Sequence, residues 1–217
     1  MPLERLPHIA ALHSYTDLAQ TEVLDLLFEP SPAIHATLLP VIRTAVYSSY
    51  PDLVDACQIK LLSLAAKSAE TEPHPVLLSV LGSHPRLGEK NIESAQSAAE
   101  QANLQGESEE LAALNREYEE AFPGLRYVVF VNGRGRPEIM QDMRDRIEQS
   151  DYLKEVDAAL QVGLGAFPAA SANMASQTRH SSTVELILLG KKAMCDIAKD
   201  RASKLPEDTN RKQSNGN

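Results

Sequence analysis

Leu125-Arg126-Tyr127-Val128-Val129-Phe130-Val131, with Asn132-Gly133 behind it, is the stretch on which the fold class turns. It crowds Val, Tyr and Phe, residues that favour a pleated backbone. Asn-Gly after such a run is a hairpin signal. A hairpin needs a second strand, and none follows. Pro137-Glu138 instead opens a helix, with Pro in the first turn, where its missing N–H costs nothing. Met140, Met143 and Ile147 then give that helix its buried face. One lone strand cannot make a sheet, so 125–131 reads as buried extended chain between helices. The expected fold is all-α: a single compact helical domain with a flexible insert before its last helix.

Outward from this run the chain is helical on both sides. From Ser14, Leu18, Val23, Leu26 and Leu27 recur at helical spacing up to Phe28-Glu29-Pro30-Ser31-Pro32. Two prolines there force a break, because each lacks an N–H and restricts the residue before it. Ala33 to Tyr47 is a second apolar segment, interrupted by Pro40. Tyr50-Pro51-Asp52 opens a third, in which Leu53, Cys57, Leu61 and Leu64 keep to one helical face. Towards the C-terminus, residues 163–183 are rich in Gly, Ala, Ser and Asn and lose the period, as a mobile insert does. Helix resumes from Val184 to about Leu205. The expected organisation is an N-terminal extension over 1–14, a helical domain over 15–205 and a disordered polar tail over 206–217.

With 217 residues and 43% of them apolar, the chain can bury a sizeable core. Its net charge of −9 argues against a sequence-independent grip on nucleic acid or on an anionic membrane surface. No apolar run approaches a membrane span, and Met1 to Ser14 lacks the apolar core of a secretory signal. Cys57 and Cys195 alone make neither a disulfide framework nor a thiolate zinc site, which fits a reducing compartment.

Three constellations can carry chemistry. Gly82-Ser83-His84-Pro85-Arg86-Leu87-Gly88 holds a His that cannot lie mid-helix, so its ring sits at a rigid position suited to acid–base work. The plainer reading is an exposed loop His. In Ser97-Ala98-Ala99-Glu100-Gln101, helical phase puts Glu93, Ser97, Glu100 and Leu104 on one stripe. Ile92, Ala95, Ala99 and Ala102 form a small-residue face that suits close packing. The polar stripe is either a pocket wall or a solvated face. Third, Arg201 continues the apolar stripe Ile187, Gly190, Met194, Ile197. Buried there, it needs an acidic partner or an anionic ligand; near a helix end it can instead snorkel to water. Other signals are weaker. Gly133-Arg134-Gly135-Arg136-Pro137 lacks the spacing of a dinucleotide loop, and neither a His-Glu-x-x-His nor a Gly-x-Ser-x-Gly element is present.

Taken in order, these pieces resemble the 2-oxo-4-hydroxy-4-carboxy-5-ureidoimidazoline (OHCU) decarboxylases of urate catabolism. The landmarks are Leu27-Phe28-Glu29-Pro30-Ser31-Pro32, Ser83-His84-Pro85-Arg86-Leu87-Gly88 and Ser97-Ala98-Ala99-Glu100-Gln101. Leu114-Asn115-Arg116-Glu117-Tyr118-Glu119 follows, then Tyr127 to Asn132 with Gly133-Arg134, and Glu138-Ile139-Met140 leading to Arg144 and Arg146. Ile197-Ala198-Lys199-Asp200-Arg201 closes the series. The His-Pro-x-Leu-Gly element with Ser-x-x-Glu-Gln behind it is the specific part. The resemblance implies an all-helical fold and a site without cofactor or metal. It puts the catalytic roles on His84, Glu100 and Arg201, and substrate contacts on Pro85, Ser97, Gln101 and the backbone of Val129 to Val131. Arg179, inside the insert, is a rival to Arg201. Ala202 and Gly135 stand where the family usually has Leu and Ser.

The chemistry the resemblance implies is self-sufficient. The carbon that loses carbon dioxide bears a hydroxyl and adjoins a ring imine, which accepts the electron pair, so the substrate carries its own sink. The protein is left with proton handling, for which His84 is the candidate, and with orientation. Glu100 can orient the imidazole or accept from ureido N–H groups. Arg201 offers a planar fork, better spent on a ring or ureido oxygen than on the departing carboxylate. The expected product is (S)-allantoin.

Two other classes stand beside this one. A helical interaction protein could keep the scaffold without activity, and a metal hydrolase could use His74, His84 and Glu100. The expected partner is the small-molecule ureidoimidazoline, with no nucleic acid and no membrane; a homodimer is left open. Ser203-Lys204-Leu205 spells a peroxisomal address but is internal, so the cytosol is the default.

Overall fold

Hydroxyl side chains set the starts of the first three helices in the computed structural model, which describes residues 5–67, 74–89, 95–100, 108–131, 133–160 and 194–208. Thr16 accepts from the Ala19 amide at the head of α1 (Asp17–Leu27). Ser31 accepts from Ala33 N–H at the head of α2 (Pro32–Thr44), and Ser49 from Asp52 N–H at the head of α3 (Tyr50–Ala65). Each cap satisfies an orphan amide, and Pro32 and Pro51 occupy first-turn positions that have no N–H to satisfy. The remaining helices are α4 (Pro75–Leu81), α5 (Ala95–Glu100), α6 (Ser108–Ala121), α7 (Arg136–Gln149), α8 (Tyr152–Leu160) and α9 (Met194–Lys204). A 3-10 turn spans Ile9–Ser14.

The all-α expectation holds: among the described residues the only β pairing is an isolated bridge between Leu6 and Glu207. Residues 125–131 run without helix or partner strand, and Leu125, Tyr127, Val128 and Val129 are buried. The helix α3 is central and packs against α2, α4, α8 and α9, while α1 packs on α2 and α9. Its stripe Leu53, Cys57, Leu61, Leu64 is buried, as the spacing predicts. None of the helices described is long and apolar enough to cross a membrane.

Several expectations are corrected. Pro40 does not interrupt its segment; α2 runs through it, with the proline on the exposed face where the lost bond is open to water. Leu18 is 70% exposed, and Gln20 takes the buried place on α1, donating to the Leu12 and His13 carbonyls. Residues 6–14 are not an extension beside the domain. Leu6, Ile9 and Leu12 are core residues, and the Tyr50 hydroxyl donates to the Pro7 carbonyl at 2.7 Å. Nor does order end at 205. Leu6 N–H donates to Pro206 O and Asp208 N–H to Leu6 O, while Glu207 accepts from the Ile9 amide. A polar composition hides this pairing, because backbone bonds are blind to side-chain type. The expected insert over 163–183 with Arg179, the expected helix from Val184 up to Met194 with Ile187 and Gly190, and the residues beyond 208 lie outside the described residues.

Candidate active site

The loop after α4 carries His84, and its neighbours hold it rigidly. Gly88 adopts a φ of +76°, and a Cβ there would come within 2.7 Å of Leu111 Cδ2, so glycine answers both backbone and space. The Asn115 amide donates to the carbonyls of Leu87 and Leu111 at 3.0 and 2.9 Å. Arg86 pairs bidentately with Glu119 on the outer side. Arg126 Nη1 donates to the His84 carbonyl at 2.7 Å. The ring is thus not that of an exposed loop histidine: His84 is 4% exposed.

Arg201 reaches the same place from α9. It is buried, as helical phase predicts, and it does not snorkel. Its compensation comes from Glu29, in the turn between α1 and α2. Arg201 Nη2 donates to Glu29 Oε1 and to Ser97 Oγ, both at 2.9 Å, and Nη1 donates to the Phe28 carbonyl. The Ser97 hydroxyl also donates to Glu29 Oε1, and His84 Nδ1 lies 3.7 Å from that oxygen. Three side chains from three other parts of the chain therefore meet at the Glu29 carboxylate. Sequence reasoning passed over Glu29, although the signal was there: an acid flanked by Phe and two prolines has no reason to lie in a solvated helix face.

A cavity of about 260 Å³ opens beside this cluster. His84, Pro85, Leu87, Ser97, Ala99, residues 127–131, Gly133, Ile197, Asp200 and Lys204 line it. Of the predicted site residues it brings together His84, Pro85, Ser97, Val129 and Val131. Arg201 stands behind Ser97 and does not line it. Gln101 and the Glu100 side chain lie outside the described residues. On α5 Ser97 is buried and lines the cavity, in keeping with the pocket-wall reading of its stripe, whereas Ala95 and Ala99 are exposed, so among the described residues the small-residue face is not the packed one. His74 starts α4 and His84 follows its end, and no three His, Cys, Asp or Glu side chains gather among the described residues as a metal site would need.

Arginines also shape the far wall. Arg146 donates to the Val128 carbonyl at 3.2 Å, and Arg134 to those of Phe130 and Val131 at 2.7 and 3.3 Å. With these carbonyls held, the N–H groups of Val129 and Val131 have no partner among the described residues. His84 Nε2 is buried and likewise without one. Burial, helped by the charges of Arg201 and Arg126, pulls the His84 pKa down to about 3. Glu29 at 3.7 Å does not offset that, so the imidazole is neutral at neutral pH. The lining therefore includes a lone pair or an N–H from His84, together with Val129 and Val131, whose amides have no partner among the described residues.

Comparison with known proteins bears on this arrangement. A sequence model of the OHCU decarboxylase family matches residues 13–162. Curated proteins yield no match. The matched region includes Glu29, His84, Ser97 and the run at 125–131, and it stops before α9 and Arg201. With well over half of its 217 residues matched, the chain belongs to the OHCU decarboxylase family, and its role is that of a decarboxylase in urate catabolism.

Proposed function

We propose that the chain decarboxylates 2-oxo-4-hydroxy-4-carboxy-5-ureidoimidazoline to (S)-allantoin, without cofactor or metal. The observation that carries this reading is His84: a neutral imidazole on the wall of a small cavity, its Nε2 without a partner among the described residues. The bond to the carboxylate breaks, carbon dioxide leaves, and the electron pair moves into the ring towards the imine nitrogen, which takes a proton from water. The enol so formed loses its hydroxyl proton and gains one at the neighbouring ring carbon. A neutral His84 accepts the enol hydroxyl proton and, once charged, is an acid able to return it to that carbon. Pro85 and Ser97 form the floor beside it. The unpaired amides of Val129 and Val131 suit ring and ureido oxygens, and Gln101 and Glu100 are assigned to the ureido group. Arg201 enters one layer behind, through Ser97 and Glu29. A chiral lining, with a single imidazole and the Val129 and Val131 backbone, favours protonation from one face.

Product analysis tests the proposal. Urate, urate oxidase and hydroxyisourate hydrolase supply the unstable substrate, and circular dichroism follows the product. Adding the protein should make (S)-allantoin appear faster than the spontaneous racemate. Racemic product at the spontaneous rate would refute it and leave a scaffold without this activity.

A further inference from the structure

Glu29 is a buried acid beside His84 to which the foregoing chemistry gives no contact with substrate. It lies in a turn rather than a helix, and its side chain is 3% exposed. Its Oε1 receives Arg201 Nη2 and the Ser97 hydroxyl and faces His84 Nδ1 at 3.7 Å. The other charges around the ring are Arg201 on α9 and Arg126, whose Nη1 holds the His84 carbonyl. Arg201 is itself anchored on the Phe28 carbonyl, one residue before Glu29, so the guanidinium clamps the turn that carries the carboxylate.

We infer that Glu29 is a positioning residue that sets the tautomer of His84, and that Arg201 serves this role by holding Glu29. A neutral imidazole has one N–H. A carboxylate can only accept, so beside Glu29 the proton belongs on Nδ1. That leaves the lone pair on Nε2, the ring nitrogen that has no partner among the described residues and that a base must present to substrate. The Nδ1 to Oε1 gap is under about 1 Å longer than a hydrogen bond, a slack that substrate-free sites commonly show. Glu29 needs no contact with substrate for this. The inference rests on the proposed use of His84 as the base, but the tautomer itself is read without substrate.

Histidine ¹⁵N shifts of the protein report the tautomer directly, with His84→Ala identifying the His84 signals among the six histidines. The wild-type protein should show Nδ1 protonated at pH 7. Glu29→Leu removes the acceptor that faces Nδ1, and the signals should move to the Nε2–H pattern. Turnover should then fall about 100-fold, the lower range for loss of a general base, with KM changed less than about threefold. Glu29→Asp keeps the carboxylate, and should keep the Nδ1–H tautomer and recover most of the rate. An Nε2–H tautomer in the wild-type protein overturns the inference, and so does a Glu29→Leu protein with the wild-type tautomer or wild-type turnover. If Glu29→Leu does not fold, the wild-type spectrum and Glu29→Asp decide alone. An Nδ1–H tautomer in a protein that makes no allantoin would uphold the inference about the ring and sink the decarboxylase reading.

Discussion

Two buried arginine–carboxylate pairs stand among the described residues, and they differ in where their hydrogen bonds end. Arg146 on α7 pairs with Glu155 on α8, with Nε 2.7 Å from Oε2. The Tyr118 hydroxyl donates to the same oxygen at 2.5 Å. The guanidinium also holds the Val128 carbonyl, and its carbon lies 4.7 Å from the Tyr127 ring centre and 5.6 Å from that of Tyr118. Those bonds and ring contacts all stay within the protein. The Arg201–Glu29 pair has a similar inventory, with Ser97 in place of tyrosine and the Phe28 carbonyl in place of Val128. Its chain of contacts runs on to His84 and stops at an unpartnered nitrogen on a cavity wall. A closed network contributes to stability and fixes the backbone it holds, here at Val128; one with an open end holds a group ready for a ligand.

The sharpest way to break this distinction is at the open end. His84→Ala should lower turnover by ~10²–10⁴ while the thermal midpoint stays or rises, because a buried nitrogen without a partner is removed. Near-wild-type allantoin production by the folded variant would erase the difference between the two pairs. At the closed end, Glu155→Ala leaves Arg146 charged and buried, and urea unfolding should show a loss of about 3–5 kcal/mol. A loss below about 1 kcal/mol would mean that the network is less closed than its bonds suggest.

Acid titration sharpens the comparison further. His84 is buried in its neutral form, with its pKa lowered from 6.5 to about 3. Between those values the unfolded chain binds the proton and the folded chain does not. Stability therefore falls as pH drops below about 6.5 and does not depend on this group above it. The contribution approaches 1.4 kcal/mol per pH unit, roughly one proton's worth. His84→Asn should show a shallower acid slope than wild type; equal slopes would place the ring in water. The smallest effect belongs outside both clusters. Arg86 and Glu119 form a half-exposed bidentate pair, and Arg86→Ala should cost no more than ~1 kcal/mol in the same urea titration.

Much of this was legible in the chain itself, because helical period, capping and backbone restriction act over a few residues. Ser31-Pro32 and Ser49-Tyr50-Pro51 announce helix starts, and both are such. The stripe through Leu53, Cys57, Leu61 and Leu64 is core, and the lone run at 125–131 is buried chain without a sheet. Phase on α9 put Arg201 inside. The rigid His-Pro site put His84 out of helix, and Gly88 with its positive φ shows why the loop needs its glycine.

Tertiary structure alone decided which charges meet. That Arg201 needed an acid followed from burial, but Glu29 lies 172 positions away and no local rule selects it over Glu100. The same holds for the chain ends, where Leu6 and residues 206–208 pair through backbone groups that every residue carries. It holds too for Ser97, buried where Ala95 and Ala99 are not, because a six-residue helix is oriented by the Arg201–Glu29 bonds it joins rather than by its own apolar face. Local sequence sets the conformation of each segment; the partner of a buried charge is set by which segments the packed core brings within about 3 Å.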